Sequence, residues 1–550
     1  MVKYKMGKLF FQTGLVALFF LPVLESINRT LGINLLLVSA ILFSLPLFLL
    51  KKIVFDKINV VFSLLLLFFG LSTITSWSLL RSYISLNIYL AYFLIFIFVR
   101  NSNSKEYLRK YFTLMILTNA LLLSLISIVY VILGRKFFLP VNSMSLYTQV
   151  SGHNRICDIL VFAIPIALNQ FLLEKKKAIK YFLGFLTLFF LAVFIFSFGR
   201  AAMLSLSFGY LLVILFFHNN FNIVGSRRTE NLFAIILSVI TMVILTSSFL
   251  YSNLIFPKDS QGAGFIYKPV MKERRLDYYL QAINGFRQSP FTGTGLDTFI
   301  YVSRQYQEKN NSHGFSSSAH NRYLQYFTET GIFGGIIFLI LIFFFSKEIC
   351  KNLLPFNLSF LVGLIASAIQ ATIDYNWDFL SIYLFFFIGV ALILGEDKNK
   401  SLGNRLFLTN KFILLPIILI ITLFLPFFIP FNSYKAQEKA AFLEKIGYKD
   451  KAEALLAASL SVDKKNTNLL TALAELNARL GSYDKAHKFY RQAILFNRIN
   501  SDYLIKRDFI MRLKIRLSSE KPFINLPCNY NEIIQGFISL LFRQERCLER

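Results

Sequence analysis

Thirteen long apolar runs dominate this 550-residue chain and leave it few ways to fold. They lie near residues 9–24, 31–50, 58–76, 84–99, 111–133, 156–173, 181–198, 201–217, 232–251, 331–346, 357–373, 379–394 and 411–430. As helices rising 1.5 Å per residue, such runs match a hydrocarbon layer about 30 Å thick. Water is absent inside that layer, so each backbone N–H and C=O must bond within its own segment, which makes the spans helical. Composition supports the same reading: 55% of residues are hydrophobic and only 16% charged, against about 25% charged in a soluble domain. The expected fold is all-α: a polytopic helical membrane protein with about 12–13 transmembrane helices.

A net charge of +28 raises the question of nucleic-acid binding. A basic nucleic-acid face gathers Lys and Arg on one soluble domain. Here many sit in short loops between apolar runs. The segments on the N-terminal side of the membrane hold 22 of them, including Lys51, Arg109, Lys175 and Arg227, whereas the short loops on the other side hold 6. Such an excess orients the N-terminus to the cytoplasm, and no nucleic-acid partner is expected. Residues 1–251 then carry spans one to nine, 252–330 form a large external loop, and 331–430 carry spans ten to thirteen. The C-terminal domain is external as well, provided that 411–430, with Pro416, Pro426 and Pro430, crosses the membrane and is not re-entrant. Nothing resembles a cleavable signal peptide. Cys157, Cys350, Cys528 and Cys547 lack metal-ligand spacing, and no EF-hand or His-Glu-x-x-His pattern occurs, so neither a metal site nor a cofactor is expected.

Residues 181–217 would make one helix of about 55 Å, far longer than a bilayer needs. Gly199-Arg200 divides them into two helices meeting at the outer boundary. Arg200 there runs against the charge trend, either snorkelling to headgroups or serving a function.

After Pro430 the sequence turns to Ala, Lys, Glu and Leu with helical spacing and a 34-residue period: Gly447 with Gly481, Ala452 with Ala486, Leu456 with Tyr490. Residues 446–452 and 480–486 are similar to the turn and second-helix start of tetratricopeptide repeats. Lys464 and Arg498 stand where such repeats usually carry Pro. Two repeats (434–516, with a helix near 502–516) suit a small α-solenoid, read either as a docking surface for a protein or glycan partner or as a spacer. Residues 517–550 form a C-terminal amphipathic tail, in which Cys528 and Cys547 flank the amphipathic stretch 529–545.

The external loop holds three notable stretches: Lys272-Glu273-Arg274-Arg275 before an amphipathic segment; the glycine-rich turn Pro290-Phe291-Thr292-Gly293-Thr294-Gly295; and Ser316-Ser317-Ser318-Ala319-His320-Asn321, followed by Gly331 and Gly334. His320-Asn321, nine residues, then Gly331-x-x-Gly334, preceded by the glycine turn and by Arg275-Leu276-Asp277-Tyr278-Tyr279, resembles the O-antigen ligase and polymerase family. Ser197-Phe198-Gly199-Arg200-Ala201 is similar to that family's Ser-Arg-Gly segment with one residue inserted. The resemblance covers roughly residues 150–345.

The resemblance implies a GT-C-like membrane glycosyltransferase: a metal-independent, inverting transfer from a glycan on undecaprenyl diphosphate to an acceptor hydroxyl of a lipid, glycan or protein at the outer face. Such chemistry needs donors for a departing diphosphate, for which guanidinium forks are suited, and a base of near-neutral pKa. Arg200 and Arg275 are the first candidates for the diphosphate and Arg274 and Arg155 the second; His320 is the candidate base. Asn321, Gly293, Gly295 and Glu329 complete the candidate substrate site, Glu329 also as an alternative base on a shared helix face. Asp374 and Asp378 are further candidate acceptor contacts. Among other histidines, His153 and His313 rival His320, whereas His218 is cytoplasmic and His487 lies in the repeats. A ligase, using another anchor as acceptor, is slightly favoured over a polymerase of lipid-linked repeat units for O-antigen, capsule or exopolysaccharide. A polysaccharide flippase would show span symmetry and mid-membrane charges; a non-catalytic envelope scaffold would tolerate loss of the site residues.

Overall fold

The structure is a computed structural model that describes residues 2–49, 54–102, 104–132, 153–197, 199–217, 275–307, 315–351, 358–394, 406–407, 433–497 and 505–511. The ninth and thirteenth runs (232–251, 411–430), Arg274, His218, His313, the tail 517–550 and its two cysteines lie outside the described residues.

The helices of the first half are α1 (Val2–Ile27), α2 (Arg29–Leu49), α3 (Lys57–Ile74), α4 (Leu79–Asn101), α5 (Lys105–Ile132), α6 (His153–Leu173), α7 (Lys177–Phe196) and α8 (Arg200–Phe217). Then come α9 (Arg275–Gln288), α10 (Phe299–Gln305), α11 (Arg322–Lys351), α12 (Leu358–Gln370), α13 (Leu380–Leu394) and, C-terminally, α14 (Ser433–Lys445), α15 (Lys449–Val462), α16 (Thr467–Arg479) and α17 (Tyr483–Phe496). Among the described residues, seven helices are long and apolar enough to span a membrane, and four shorter apolar helices accompany them. These eleven coincide with eleven of the thirteen runs, so the chain is a polytopic helical membrane protein. The break at Gly199 is where expected, between α7 and α8.

Every residue of α13 is buried, as expected of a helix that is apolar all round and enclosed by others. Its Tyr383 and Phe387 join Phe62, Tyr89, Tyr92, Tyr326 and Trp377 in a continuous aromatic core. The exposed side chains of Leu64, Leu67, Phe185 and Leu188 lie on outward faces of the bundle, where lipid tails solvate them as well as protein would.

Loop contacts separate into two ends. At one, Arg100 forks onto Asp56, and Val54 and Phe55 pair antiparallel with Phe407 and Leu406. At the other, Glu25 accepts bonds from Leu380 N, Ser381 N and Ser381 Oγ, Trp77 N bonds Thr294 O, and Arg322 pairs with Asp378. These are the two loop sets that the charge count distinguishes. In the C-terminal region, Thr467 and Tyr483 open their helices 34 residues after Ser433 and Lys449. Ala440, Ala452, Leu456, Leu469 and Leu473 form the core between the two helix pairs. Residues 505–511 are helical, and Ile510 packs on Ala474, Ala486 and Tyr490.

One boundary differs from the expected one. The sequence places the start of the tenth run at 331, but α11 begins at Arg322 and carries a break at Gly331 (φ 71°, ψ −172°). Residues 322–330 thus form a short helix seated on top of the span. The break is imposed by packing: a Cβ on Gly331 would lie 2.2 Å from Phe291 O, and one on Gly293 2.2 Å from Glu329 O. The glycine turn and the kink interlock backbone to backbone, which only residues without a side chain and with access to positive φ can do.

Candidate active site

His320 sits immediately before α11 with φ 53°, a left-handed conformation that costs a non-glycine residue about 1 kcal/mol. Its surroundings hold it there. Asn321 caps the helix: its Oδ1 accepts from Leu324 N at 2.9 Å, the usual way an Asn satisfies a first-turn amide. Gln325, one turn in, reaches back so that its Oε1 accepts from Ala319 N and Ser318 Oγ. Ser316 and Ser318 close a local turn, and His320 N donates to Ser318 Oγ at 3.3 Å.

The imidazole meets a carboxylate supplied from a distant loop. His320 Nδ1 is 3.3 Å from Asp374 Oδ1, which also accepts from Tyr375 N at 2.9 Å. The ring stacks on Tyr278 of α9 (5.3 Å, 13°) and takes the edge of Tyr375 (4.8 Å). Asp374 is buried, and its other oxygen lies 4.0 Å from Arg275 Nη2. Arg275 opens α9 one turn before Tyr278, so a single helix contributes a guanidinium and an aromatic face to the same histidine. The side chain of Arg275 is about one-third exposed and that of His320 about one-fifth, whereas Asp374 is 2% exposed. A buried acid thus orients two solvent-reaching groups. With Nδ1–H given to Asp374, Nε2 keeps its lone pair for a proton.

Arg322 fastens the two loops. Its backbone N donates to Ala371 O at 2.8 Å, its Nη1 to Asp378 Oδ1 at 2.5 Å and its Nη2 to the Tyr89 hydroxyl, with the guanidinium over the Tyr326 ring. Tyr326 in turn bonds Tyr89 and Tyr383.

The predicted site residues divide into groups. His320 and Arg275 come together, with Asn321 adjoining as a helix cap. Arg200 opens α8 at the Gly199 break, which lies at the same end of the bundle: the Cys157 Sγ beside the Ser197 hydroxyl (2.7 Å) is in the helix turn next to Asp158, whose carboxylate bonds Gln370. Arg155 instead faces inward, 3.2 Å from Glu25, bonded to Pro22 O and under the Phe379 ring. Glu329 does not share a face with His320. It is buried, accepting from Phe299 N at 3.2 Å and Gln325 Nε2 at 2.9 Å, so it ties α10 to the His320 segment. Gly293 and Gly295 lie in the interlocked turn, where Gly295 N donates to Glu329 O. Asp374, read as an acceptor contact, is the partner of His320, and Asp378 that of Arg322. Tyr278, Tyr375 and Arg322 had no role in the sequence reading; the only signal for Arg322 was its place directly after His320-Asn321.

No curated protein matches this chain. A family model described as O-Antigen ligase matches residues 185–339, a stretch that includes Arg200, Arg275 and His320 and stops short of Asp374.

Proposed function

We propose that this protein is a glycosyltransferase of the O-antigen ligase type, moving a glycan from a polyprenyl diphosphate to an acceptor hydroxyl at the outer face of the cytoplasmic membrane. The observation that carries the reading is the shared carboxylate: His320 and Arg275 both address Asp374, within or beside the stretch that matches the O-antigen ligase model.

In this reading the acceptor hydroxyl gives its proton to His320 Nε2 as its oxygen attacks the anomeric carbon. The bond from that carbon to the diphosphate oxygen breaks, the configuration inverts, and the electron pair leaves with the lipid diphosphate. Asp374 fixes the tautomer and stabilises the imidazolium formed. Arg275 and Arg200 offset the charge growing on the leaving group, an electrostatic role worth most where water is scarce. A diphosphate leaving group suits a compartment without nucleotide sugars, since the driving energy travels with the substrate.

The end of the bundle that carries this site is the one with few Lys and Arg in its short loops, which supports an extracytoplasmic site. Asp463, in the C-terminal helices, bonds Tyr301 at that same end, which supports an external position for the tetratricopeptide-like region.

The test is purified protein in detergent, incubated with polyprenyl-diphosphate glycan and lipid, glycan or protein acceptors. Joined product together with released polyprenyl diphosphate is expected. An intact donor after prolonged incubation with every acceptor class, or equal product from His320→Ala, refutes the assignment.

A further inference from the structure

The seven-residue helix α10 is too short to hold itself in place, so its position is set by what grips it. Residues two apart on a helix point to nearly opposite sides, and residues four apart share one. Tyr301 and Gln305 form one face, and Phe299 and Ser303 the other. The first face meets the C-terminal helices. Tyr301 donates to Asp463, 2.8 and 2.9 Å from its two carboxylate oxygens, and Lys465 Nζ donates to Gln305 Oε1 at 2.9 Å. Lys465 also lies over the Trp77 ring, and the backbones of Ser78 and Asp463 form an isolated antiparallel bridge. Burial and the neighbouring Asp463 carboxylate push the Tyr301 hydroxyl well above its ordinary range, so it remains a donor.

The second face meets the site. Ser303 Oγ donates to Gln281 Oε1 of α9 (2.7 Å), the helix that begins with Arg275, and accepts from Ser316 N (3.0 Å). Ser316 Oγ bonds Ser318 O, and Ser318 Oγ accepts from His320 N. Phe299 N bonds Glu329, which bonds Gln325, whose Oε1 takes Ala319 N. Two hydrogen-bonded routes therefore lead from α10 to the backbone N–H groups of Ala319 and His320.

We infer that the C-terminal helical region is a working part of the transfer site: its turn 463–466 clamps α10 and so positions the His320 segment and α9. A spacer or a free docking platform would not need these part-buried polar contacts to the loop. Asp463, Lys465 and Tyr301 are accordingly positioning residues that never touch substrate. The turn that supplies Asp463 and Lys465 carries Lys464 where a repeat of this kind usually has Pro; Pro has no N–H and fixes φ, whereas this turn presents side chains outward.

The inference rests on the function proposed above for its activity readout and has a second readout that does not. In the full-length protein, Asp463→Ala should lower transfer turnover about 10-fold with the donor KM within about twofold, since misplacement of a base acts on the chemical step. Asp463→Asn, which keeps an acceptor oxygen, should retain most of the activity. Tyr301→Phe should cost less when added to Asp463→Ala than it does alone, because the Tyr301–Asp463 bond is already lost. Independently of activity, amide hydrogen exchange over 315–321 should quicken in Asp463→Ala. Unchanged exchange there, full turnover, or additive losses in the double variant would each overturn the clamp. Should the wild type transfer no glycan, the exchange comparison alone still decides it.

Discussion

Asp374 and His320 lie 54 residues apart in sequence and 3.3 Å apart in the fold, with the acid buried and the imidazole reaching solvent. Its Oδ1 accepts from Tyr375 N and faces the histidine, while Arg275 Nη2 stands 4.0 Å from Oδ2. This arrangement suits a base that must gain and then lose a proton, and it sets the first prediction.

Asp374→Asn preserves shape and removes the charge that favours the proton on Nδ1. Turnover should fall by about 10²–10⁴ with little change in donor KM. The measurement is steady-state transfer by purified protein; turnover within twofold of wild type would remove Asp374 from the mechanism.

Arg275→Lys keeps a positive charge and loses the planar fork. If Arg275 serves the diphosphate, transfer should drop by about 10–100-fold, and the shorter, rounder ammonium should not restore it. Donor titration of the variant checks this. Arg275→Lys with wild-type kinetics would leave only a structural role for the residue.

Arg322→Met leaves Asp378 without its guanidinium partner and takes from the Tyr89 hydroxyl one of its two donors, Tyr326 being the other. Breaking a buried pair from one side costs about 3–5 kcal/mol, so the thermal midpoint in detergent should fall by several degrees. A variant as heat-stable as wild type would show that Asp378 and Tyr89 find other partners at no cost.

Gly331→Ala should be harsher than its size suggests. The added methyl would sit 2.2 Å from Phe291 O at a residue with φ 71°, and forcing an L-residue there costs about 1–3 kcal/mol before any clash. Low yield of folded protein, read by size-exclusion profile and thermal midpoint, is the expected result; an unaltered profile would mean that the turn at 290–295 can move aside.

The eleven described spans were legible in the sequence because a long apolar run in a membrane has one use. Motif resemblance singles out His320 and Arg275, which the fold brings to one carboxylate. What the sequence does not reveal depends on long-range packing. Arg322 looked like one more basic residue at a helix start, yet its N–H on Ala371 O brings the Asp374 loop to His320. Glu329, nine residues after His320, would share its helix face only if the helix ran through both; His320 lies outside the helix in a left-handed turn, so the spacing rule does not apply. Arg155 was read as reaching the diphosphate because loop position reports a side of the membrane; it does not report that Glu25 stands within 3.2 Å. Lys465 carried no sequence signal at all, since nothing local announces that Trp77 will lie beneath it.

The most direct test of the whole account is the transfer rate of His320→Ala, measured on purified, monodisperse protein with a lipid-diphosphate glycan donor. The account predicts a fall of about 10²–10⁴ in turnover with the thermal midpoint unchanged; a variant that joins glycan to acceptor at the wild-type rate would contradict it.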